Sequence, residues 1–177
     1  MTTEIEIPEG VKVELLDNGE RIKVSGKLGS TTKKVNTLLV EAKIEGNRIV
    51  IAPVEGKEKA KRAILAETAL SNEIKRAIHG VQEGITKHMK VIYSHFPMNF
   101  EVKNNEVLVK NMFGERLPRV AKIVGDTKVE IKGQDVYVRG VDPYDVGQTV
   151  ANLFKLSFLK DKDSRVFQDG IYLLKEE

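Results

Sequence analysis

Apolar and polar residues alternate in short runs along much of the chain, and these runs come in adjacent pairs. Residues 44–51 read Ile-Glu-Gly-Asn-Arg-Ile-Val-Ile, and residues 131–138 read Ile-Lys-Gly-Gln-Asp-Val-Tyr-Val. Alternation with a period of two is typical of strands with one buried face, and a glycine-containing turn between two such runs indicates a hairpin. The chain is therefore predicted to contain several antiparallel strands.

Helical spacing of apolar residues occurs twice, each time after a set of hairpins. The first segment begins near residue 57, and its apolar positions are Ala60, Ile64, Leu70, Ile74 and Ile78. The second begins at residues 142–145, Asp-Pro-Tyr-Asp, which supply an N-cap, a first-turn proline and an early acidic residue. Its apolar positions are Val146, Val150, Leu153 and Phe154. Both segments are predicted to form amphipathic helices.

The order of hairpins followed by one helix is repeated, which indicates an internal duplication. Residues 21–35 align without gaps with residues 106–120, 85 positions further on, and the hairpins of residues 44–51 and 131–138 lie 87 positions apart. Strands followed by a helix favour an α+β fold, here two tandem, internally duplicated units, each an antiparallel sheet with a helix packed on one face. Gly80 and Gly84 are expected to end the first helix. The predicted domains are residues 1–82 and 83–177, with the tail from Lys160 outside the repeat.

Composition narrows the class of protein. The 177 residues are 41% hydrophobic and 31% charged, and the net charge is +3, so a packed core is expected and a basic surface has to be sought locally. The absence of cysteine excludes disulfides, thiolate metal sites and cysteine nucleophiles. No signal segment begins the sequence, and no apolar run approaches the roughly 20 residues of a membrane span. A cytoplasmic location is expected.

The turn Gly26-Lys27-Leu28-Gly29 has the spacing of the GXXG loop that holds phosphates in KH domains. That loop joins two helices, whereas a strand is predicted before this turn, and the spacing does not fit a P-loop. Two interpretations stay open. Lys27 contacts an RNA backbone, or the turn is an ordinary hairpin with Lys27, Lys33 and Lys34 solvated.

Two further segments combine cations with glycine or aromatic rings. The turn at residues 111–119 contains Gly114, Arg116 and Arg119, and the arginine fork suits phosphate recognition. The tail from residue 160 to residue 172 has cations interleaved with rings and a polar turn, namely Lys160, Lys162, Arg165, Phe167, Gln168, Gly170 and Tyr172. Such mixtures are typical of RNA contacts. A solvated turn and a tail packed on the core are the alternatives.

Metal and enzyme sites find no support in the sequence. His79, His88 and His95 lie at spacings that match no metal motif, and spacing of seven on a strand places His88 and His95 on opposite faces. Helix capping accounts for Asp142 and Asp145, and no nucleophile is paired with an acid or a base. We expect no metal, no cofactor, no catalytic residue and no small-molecule substrate.

A tandem protein-interaction module is an alternative, for which an exposed apolar patch would be needed. The candidates are Phe154, Leu156, Phe158 and Leu159. The same side chains could instead fill the gap between the second helix and the tail.

Three longer sequence words carry a resemblance to a known family: residues 93–97, Tyr-Ser-His-Phe-Pro; residues 140–149, Gly-Val-Asp-Pro-Tyr-Asp-Val-Gly-Gln-Thr; and residues 165–172, Arg-Val-Phe-Gln-Asp-Gly-Ile-Tyr. Together with the duplication, the chain resembles the large-subunit ribosomal protein L6 family in its archaeal and eukaryotic form. The resemblance implies two similar α+β domains and a structural, non-enzymatic role in translation. It also implies binding to large-subunit ribosomal RNA near the sarcin–ricin loop, beside other ribosomal proteins at the base of the factor-binding stalk.

Overall fold

The computed structural model describes residues 3–56, 60–159, 163 and 165–174. The chain divides into two compact units, Met1–Gly84 and Ile85–Glu177, here called unit 1 and unit 2. This division falls two residues after the boundary expected from the sequence.

In the part of unit 1 that the structure describes, six strands and a short 3-10 helix (Asp17–Gly19) are followed by one α-helix. The elements are β1 (Thr3–Glu6), β2 (Lys12–Leu16), β3 (Arg21–Ser25), β4 (Ser30–Lys34), β5 (Val40–Glu45), β6 (Arg48–Pro53) and α1 (Lys61–Gln82). The strands form two antiparallel sheets, ordered β1-β6-β5 and β2-β3-β4. Helix α1 contacts strands of both sheets.

Unit 2 repeats this order and adds one strand. Its elements are β7 (Ile85–Ile92), β8 (Asn99–Lys103), β9 (Glu106–Lys110), β10 (Arg119–Lys122), β11 (Lys128–Lys132), β12 (Asp135–Gly140), α2 (Pro143–Leu156) and β13 (Gly170–Leu173). The antiparallel sheets are ordered β8-β9-β10 and β11-β12-β7-β13. Strand β13 belongs to the tail. It pairs with β7 on the edge opposite β12, and no strand of unit 1 corresponds to it.

The two units have the same topology, which confirms the α+β class and the duplication. The order β7-β12-β11 corresponds to β1-β6-β5, and β8-β9-β10 corresponds to β2-β3-β4. The strands of each unit are divided between two small sheets, and one helix covers them. Strand alternation produces this arrangement, because Val107, Val109, Val136 and Val138 are all buried in the core of unit 2.

Helix α2 begins as its sequence predicts. The Asp142 carboxylate accepts a hydrogen bond of 2.8 Å from the Tyr144 amide, and Pro143 occupies the first turn. Val146, Val150 and Leu153 pack into the core.

The predicted apolar face of helix α1 is partly wrong. Ala60 and Ile64 are exposed, and the buried positions are Ala63, Glu67, Leu70, Ser71, Ile74, Ala77, Ile78, Gly80 and Val81. The buried stripe has the expected helical spacing, but a carboxylate and small residues within it weaken the apolar pattern. Gly80 is buried inside the helix and does not end it.

The gapless alignment of residues 21–35 with residues 106–120 holds for strands β3 and β9. It is wrong after the turn that follows these strands. Val24 pairs with Thr31 in unit 1, with six residues between them, whereas Val109 pairs with Arg119 in unit 2, with nine residues between them. The turn of unit 2 is therefore longer by three residues. Arg119 corresponds in register to Thr31 and not to Lys34.

The shorter turn of unit 1 is packed against the end of α1. The Leu28 amide donates a 3.1 Å hydrogen bond to the Val81 carbonyl, and a Cβ added at Gly26 would lie 2.7 Å from Val81 Cγ2. Gly26 is required by this close approach. Lys27 is exposed, but Lys33 is only 9% exposed, because alternation along β4 places it on the same face as Thr31. The expectation that Lys33 is solvated is wrong.

Replacing Gly26 by alanine should lower the free energy of unfolding by about 1–3 kcal/mol, because the added methyl group overlaps Val81. Gly147, inside α2, has no atom within 4 Å of an added Cβ. Gly147→Ala should therefore leave stability unchanged or raise it by up to about 1 kcal/mol. Urea unfolding of both variants measures the difference, and equal effects would contradict the close packing at Gly26.

Candidate functional site

Three separate segments of unit 2 meet around a cavity of about 380 Å³. They are the turn after β7, the loop between β9 and β10, and the tail before β13. The cavity is lined by Ser94, His95, Phe96, Phe113, Val166, Phe167, Gln168 and Asp169. Two regions that were singled out in the sequence, the glycine-containing turn and the tail, are thus brought together.

Hydrogen bonds and close packing hold the three segments in place. The Ser94 amide donates to Asp169 Oδ1 at 3.1 Å, which joins the turn to the tail. Asn111 Nδ2 donates to the Pro97 carbonyl at 3.1 Å, and a Cβ added at Gly114 would lie 3.2 Å from the Phe96 ring. The glycine in the loop therefore allows close contact with Phe96.

The loop between β9 and β10 has an uncommon backbone conformation. Asn111, Phe113 and Gly114 have φ values of 61°, 53° and 76°. A bulky residue such as phenylalanine rarely adopts the left-handed region, and such strain is often found at functional sites. Residues 26–29, the corresponding turn of unit 1, contain no non-glycine residue in this region. The strained conformation is thus specific to the longer turn.

Arg119 is occupied by partners within unit 2. Its guanidinium donates to Glu115 through Nε (2.7 Å) and Nη2 (2.5 Å), and through Nη1 to the carbonyls of Leu156 and Phe158. The group also lies over the Phe113 ring, 5.3 Å from its centroid. The hydrogen bonds to Glu115 raise the pKa of Arg119. Arg119 therefore joins the loop to the end of α2.

Arg116 differs from Arg119 in its exposure and its contacts. It is exposed, and no hydrogen bond or ion pair to its side chain is found in the part of the chain that the structure describes. The adjoining Leu117 and Pro118 are exposed as well. Of the two arginines predicted in this turn, Arg116 is available to a ligand.

Short-range contacts connect the described residues of the tail. The Arg165 guanidinium donates to both carboxylate oxygens of Asp163, and these hydrogen bonds lower the pKa of Asp163. Gln168 Nε2 donates to the Arg165 carbonyl, and the Tyr172 hydroxyl donates to the Gln168 carbonyl at 2.7 Å. Lys160 and Lys162, also predicted as contacts, lie outside the described residues.

Gly170 and Tyr172 belong to the packing of the tail. A Cβ at Gly170 would lie 2.9 Å from Ser157 Cβ, so strand β13 can approach the end of α2 only with glycine there. The Tyr172 ring meets the Phe154 ring edge to face, with centroids 6.4 Å apart. Leu156 packs against the core, and Phe154 also contacts Phe158. Leu156 and Phe154 therefore contribute to the packing between the helix and the tail, whereas Phe158 is 68% exposed, so each of the two interpretations left open by the sequence applies to part of this segment.

Several residues of the site were missed at the level of sequence. Ser94, His95, Phe96 and Phe113 line the cavity, but they lack the positive charge that indicates an RNA contact in the sequence. The only signal for the first three was the sequence word at residues 93–97. Lys27, by contrast, lies in unit 1 and is no part of this cavity.

The histidines have other partners or surroundings. His88 Nε2 lies 2.8 Å from Asp135 Oδ1, and its ring stacks on Tyr137 with centroids 4.5 Å apart. No group of three or more His, Asp or Glu side chains among the described residues could hold a metal ion. Nor is any helix in that part of the chain long and apolar enough to cross a membrane.

Comparison with known proteins gives a consistent result. The family model described as ribosomal protein L6 matches residues 96–170. The chain is 39% identical over 175 residues to the large ribosomal subunit protein uL6 of Archaeoglobus fulgidus, covering 97% of the chain and 88% of the relative. Identity is 40% with the protein of the same name from Methanobrevibacter smithii, covering 98% and 95%. It is 41% with that of Thermoplasma acidophilum, covering 96% and 93%.

The different contacts of Arg116 and Arg119 predict different effects of their substitution on the free energy of unfolding. Arg119→Met should lower the free energy of unfolding by about 1–3 kcal/mol, because Glu115 and two carbonyls lose charge-assisted hydrogen bonds. Arg116→Met, its matched control, should change stability by less than about 0.5 kcal/mol, as exposed substitutions without partners do. Urea unfolding followed by circular dichroism tests this. Equal losses for the two variants would refute the internal role of Arg119.

Proposed function

Because these similarities show that the chain belongs to the ribosomal protein L6 family, we propose that it is a structural constituent of the large ribosomal subunit that binds ribosomal RNA. The names of the relatives describe a ribosomal constituent and not a catalyst. A cytoplasmic location, within the ribosome, follows from this role. The proposal includes the finer placement near the sarcin–ricin loop, beside other ribosomal proteins at the base of the stalk.

The convergence of loop and tail in unit 2 is the observation that carries the RNA-binding part of the proposal. An exposed arginine without an internal partner, exposed aromatic rings and a cavity lined by both rings and polar side chains lie on three adjoining segments. Arginine provides a planar fork for phosphate, and aromatic rings provide surfaces on which bases stack. This combination fits RNA better than it fits a protein partner, for which a continuous apolar patch would be expected.

The proposed contacts fall into two groups. Arg116, Gly114, Arg165, Phe167 and Gln168 are proposed to touch RNA, and Arg165 would exchange its bonds to Asp163 for bonds to phosphate. Arg119, Gly170 and Tyr172 are proposed to position this surface from within unit 2.

The lysines that the sequence suggested are proposed as further contacts with RNA. Lys160 and Lys162, in the same tail, are proposed as additional phosphate contacts. Lys27, exposed at the turn of unit 1, is proposed as a separate contact with the RNA backbone.

Sedimentation tests the ribosomal role directly. A tagged chain expressed in an archaeal host should co-migrate with large subunits in a sucrose gradient, and it should remain bound after a wash that removes loosely associated factors. A chain found only in the light fractions would contradict the proposal.

Arg116→Ala should reduce the salt dependence of binding to a large-subunit ribosomal RNA fragment. Loss of one phosphate contact lowers the slope of log affinity against log salt by roughly 0.7–0.9. Arg62→Ala is the matched control, since Arg62 is an exposed arginine of α1 in unit 1. Its slope should stay at the wild-type value. Filter binding over a range of salt concentrations measures both slopes. An unchanged slope in Arg116→Ala together with a reduced slope in Arg62→Ala would place the phosphate contact in unit 1.

A further inference from the structure

We infer that the cavity of unit 2 receives one unstacked nucleobase of the bound RNA, and that it favours a base with an exocyclic amino group. This inference rests on the proposed function. The proposed function assigns RNA to a charged surface. The inference goes further because it assigns one nucleobase, a ligand of defined chemistry, to the cavity.

The volume of the cavity is sufficient for a single nucleobase. At about 380 Å³ it lies near the lower end of ligand pockets, which range over roughly 300–1,000 Å³. Three chain segments form its walls, and the contacts among Ser94, Asp169, Phe96 and Gly114 hold them together.

Aromatic rings line the cavity and remain open to solvent. Phe96 and Phe167 are 45% and 42% exposed, although phenylalanine is usually buried when nothing else requires its exposure. Phe113 provides a third ring, held from the other side by Arg119. Rings exposed within a concave site are suited to stacking on a base.

The polar groups in the cavity can recognise the edge of that base. Asp169 lines the cavity, and one of its carboxylate oxygens accepts from the Ser94 amide, so its second oxygen can serve as an acceptor for a ligand. Carboxylates accept hydrogen bonds from exocyclic amino groups, such as the N4 amine of cytosine. The carboxylate also repels phosphate, so the phosphate of the same nucleotide is assigned to Arg116, two residues beyond Gly114.

The duplication supplies an internal comparison. In unit 1 the corresponding turn is three residues shorter, and residues 26–29 contain no aromatic residue. The strained Phe113 and the cavity beside it therefore belong to the longer turn of unit 2, and residues 26–29 show no corresponding strain. Backbone strain of this kind is often found at functional sites.

Chemical probing of the RNA tests the inference with the full wild-type chain. Dimethyl sulfate modifies the Watson–Crick edges of unpaired adenine and cytosine, and kethoxal modifies that of unpaired guanine. With saturating protein, one unpaired adenine, cytosine or guanine in a large-subunit ribosomal RNA fragment should become protected. Replacing that nucleotide with uridine should weaken binding. If no unpaired base gains protection, the inference is wrong.

Variants distinguish the cavity from the charged surface. Phe167→Leu and Phe96→Leu should each weaken binding by roughly 5- to 150-fold with an unchanged salt slope, and Phe167→Tyr should retain affinity because the ring remains. Phe158→Leu is the matched control, since Phe158 is 68% exposed but lies outside the cavity. Its affinity should change less than twofold.

The pattern of results separates the two proposals. Full affinity in both leucine variants, together with a reduced slope in Arg116→Ala, would overturn the nucleobase cavity and leave RNA binding intact. Wild-type behaviour in all three would overturn this surface as an RNA site. Loss of affinity in Phe167→Tyr equal to that in Phe167→Leu would overturn stacking.

Discussion

The guanidinium of Arg119 is the interaction on which the candidate surface depends. It bonds to Glu115 in the loop, to the carbonyl of Leu156 at the end of α2 and to that of Phe158 just beyond it, and it lies over Phe113. These contacts join a strained loop to a rigid helix. Without them the loop would lose the partners that offset its backbone strain, and Arg116 and Phe113 would no longer be held in one arrangement. Arg119 therefore supports the proposed RNA-binding surface without being one of its proposed RNA contacts.

The duplicated fold explains how such a surface can arise without a change of topology. Both units bury their cores through alternating strands and one helix, and their strand orders agree. The differences that form the candidate surface are a turn lengthened by three residues and the added strand β13. Turns and edges carry few buried contacts, so they can change while the core stays intact. Unit 1 keeps a short turn packed on Val81, and unit 2 has a loop and tail that enclose a cavity.

Regular elements could be predicted from local pattern, whereas the contacts of the site could not. Period-two alternation identified the strands, and the residues after Gly140 identified the start of α2, because these signals act between neighbours in sequence. Arg119 was chosen as an RNA contact because its charge was visible, but its acceptors at positions 156 and 158 are distant in sequence. Phe96 carries no charge and gave no chemical signal until the fold placed it against Gly114. Two residues with similar sequence signals, Arg116 and Arg119, acquired different roles through long-range packing alone.

The central claim is that the converging segments of unit 2 form the RNA-binding surface. Ultraviolet crosslinking of the chain within assembled large subunits, followed by mass spectrometry of the RNA-linked peptides, tests it most directly. The linked peptides should come from residues 93–97, 111–119 and 163–170, with Phe96 or Phe167 as attachment points. Linked peptides confined to unit 1 would contradict the claim.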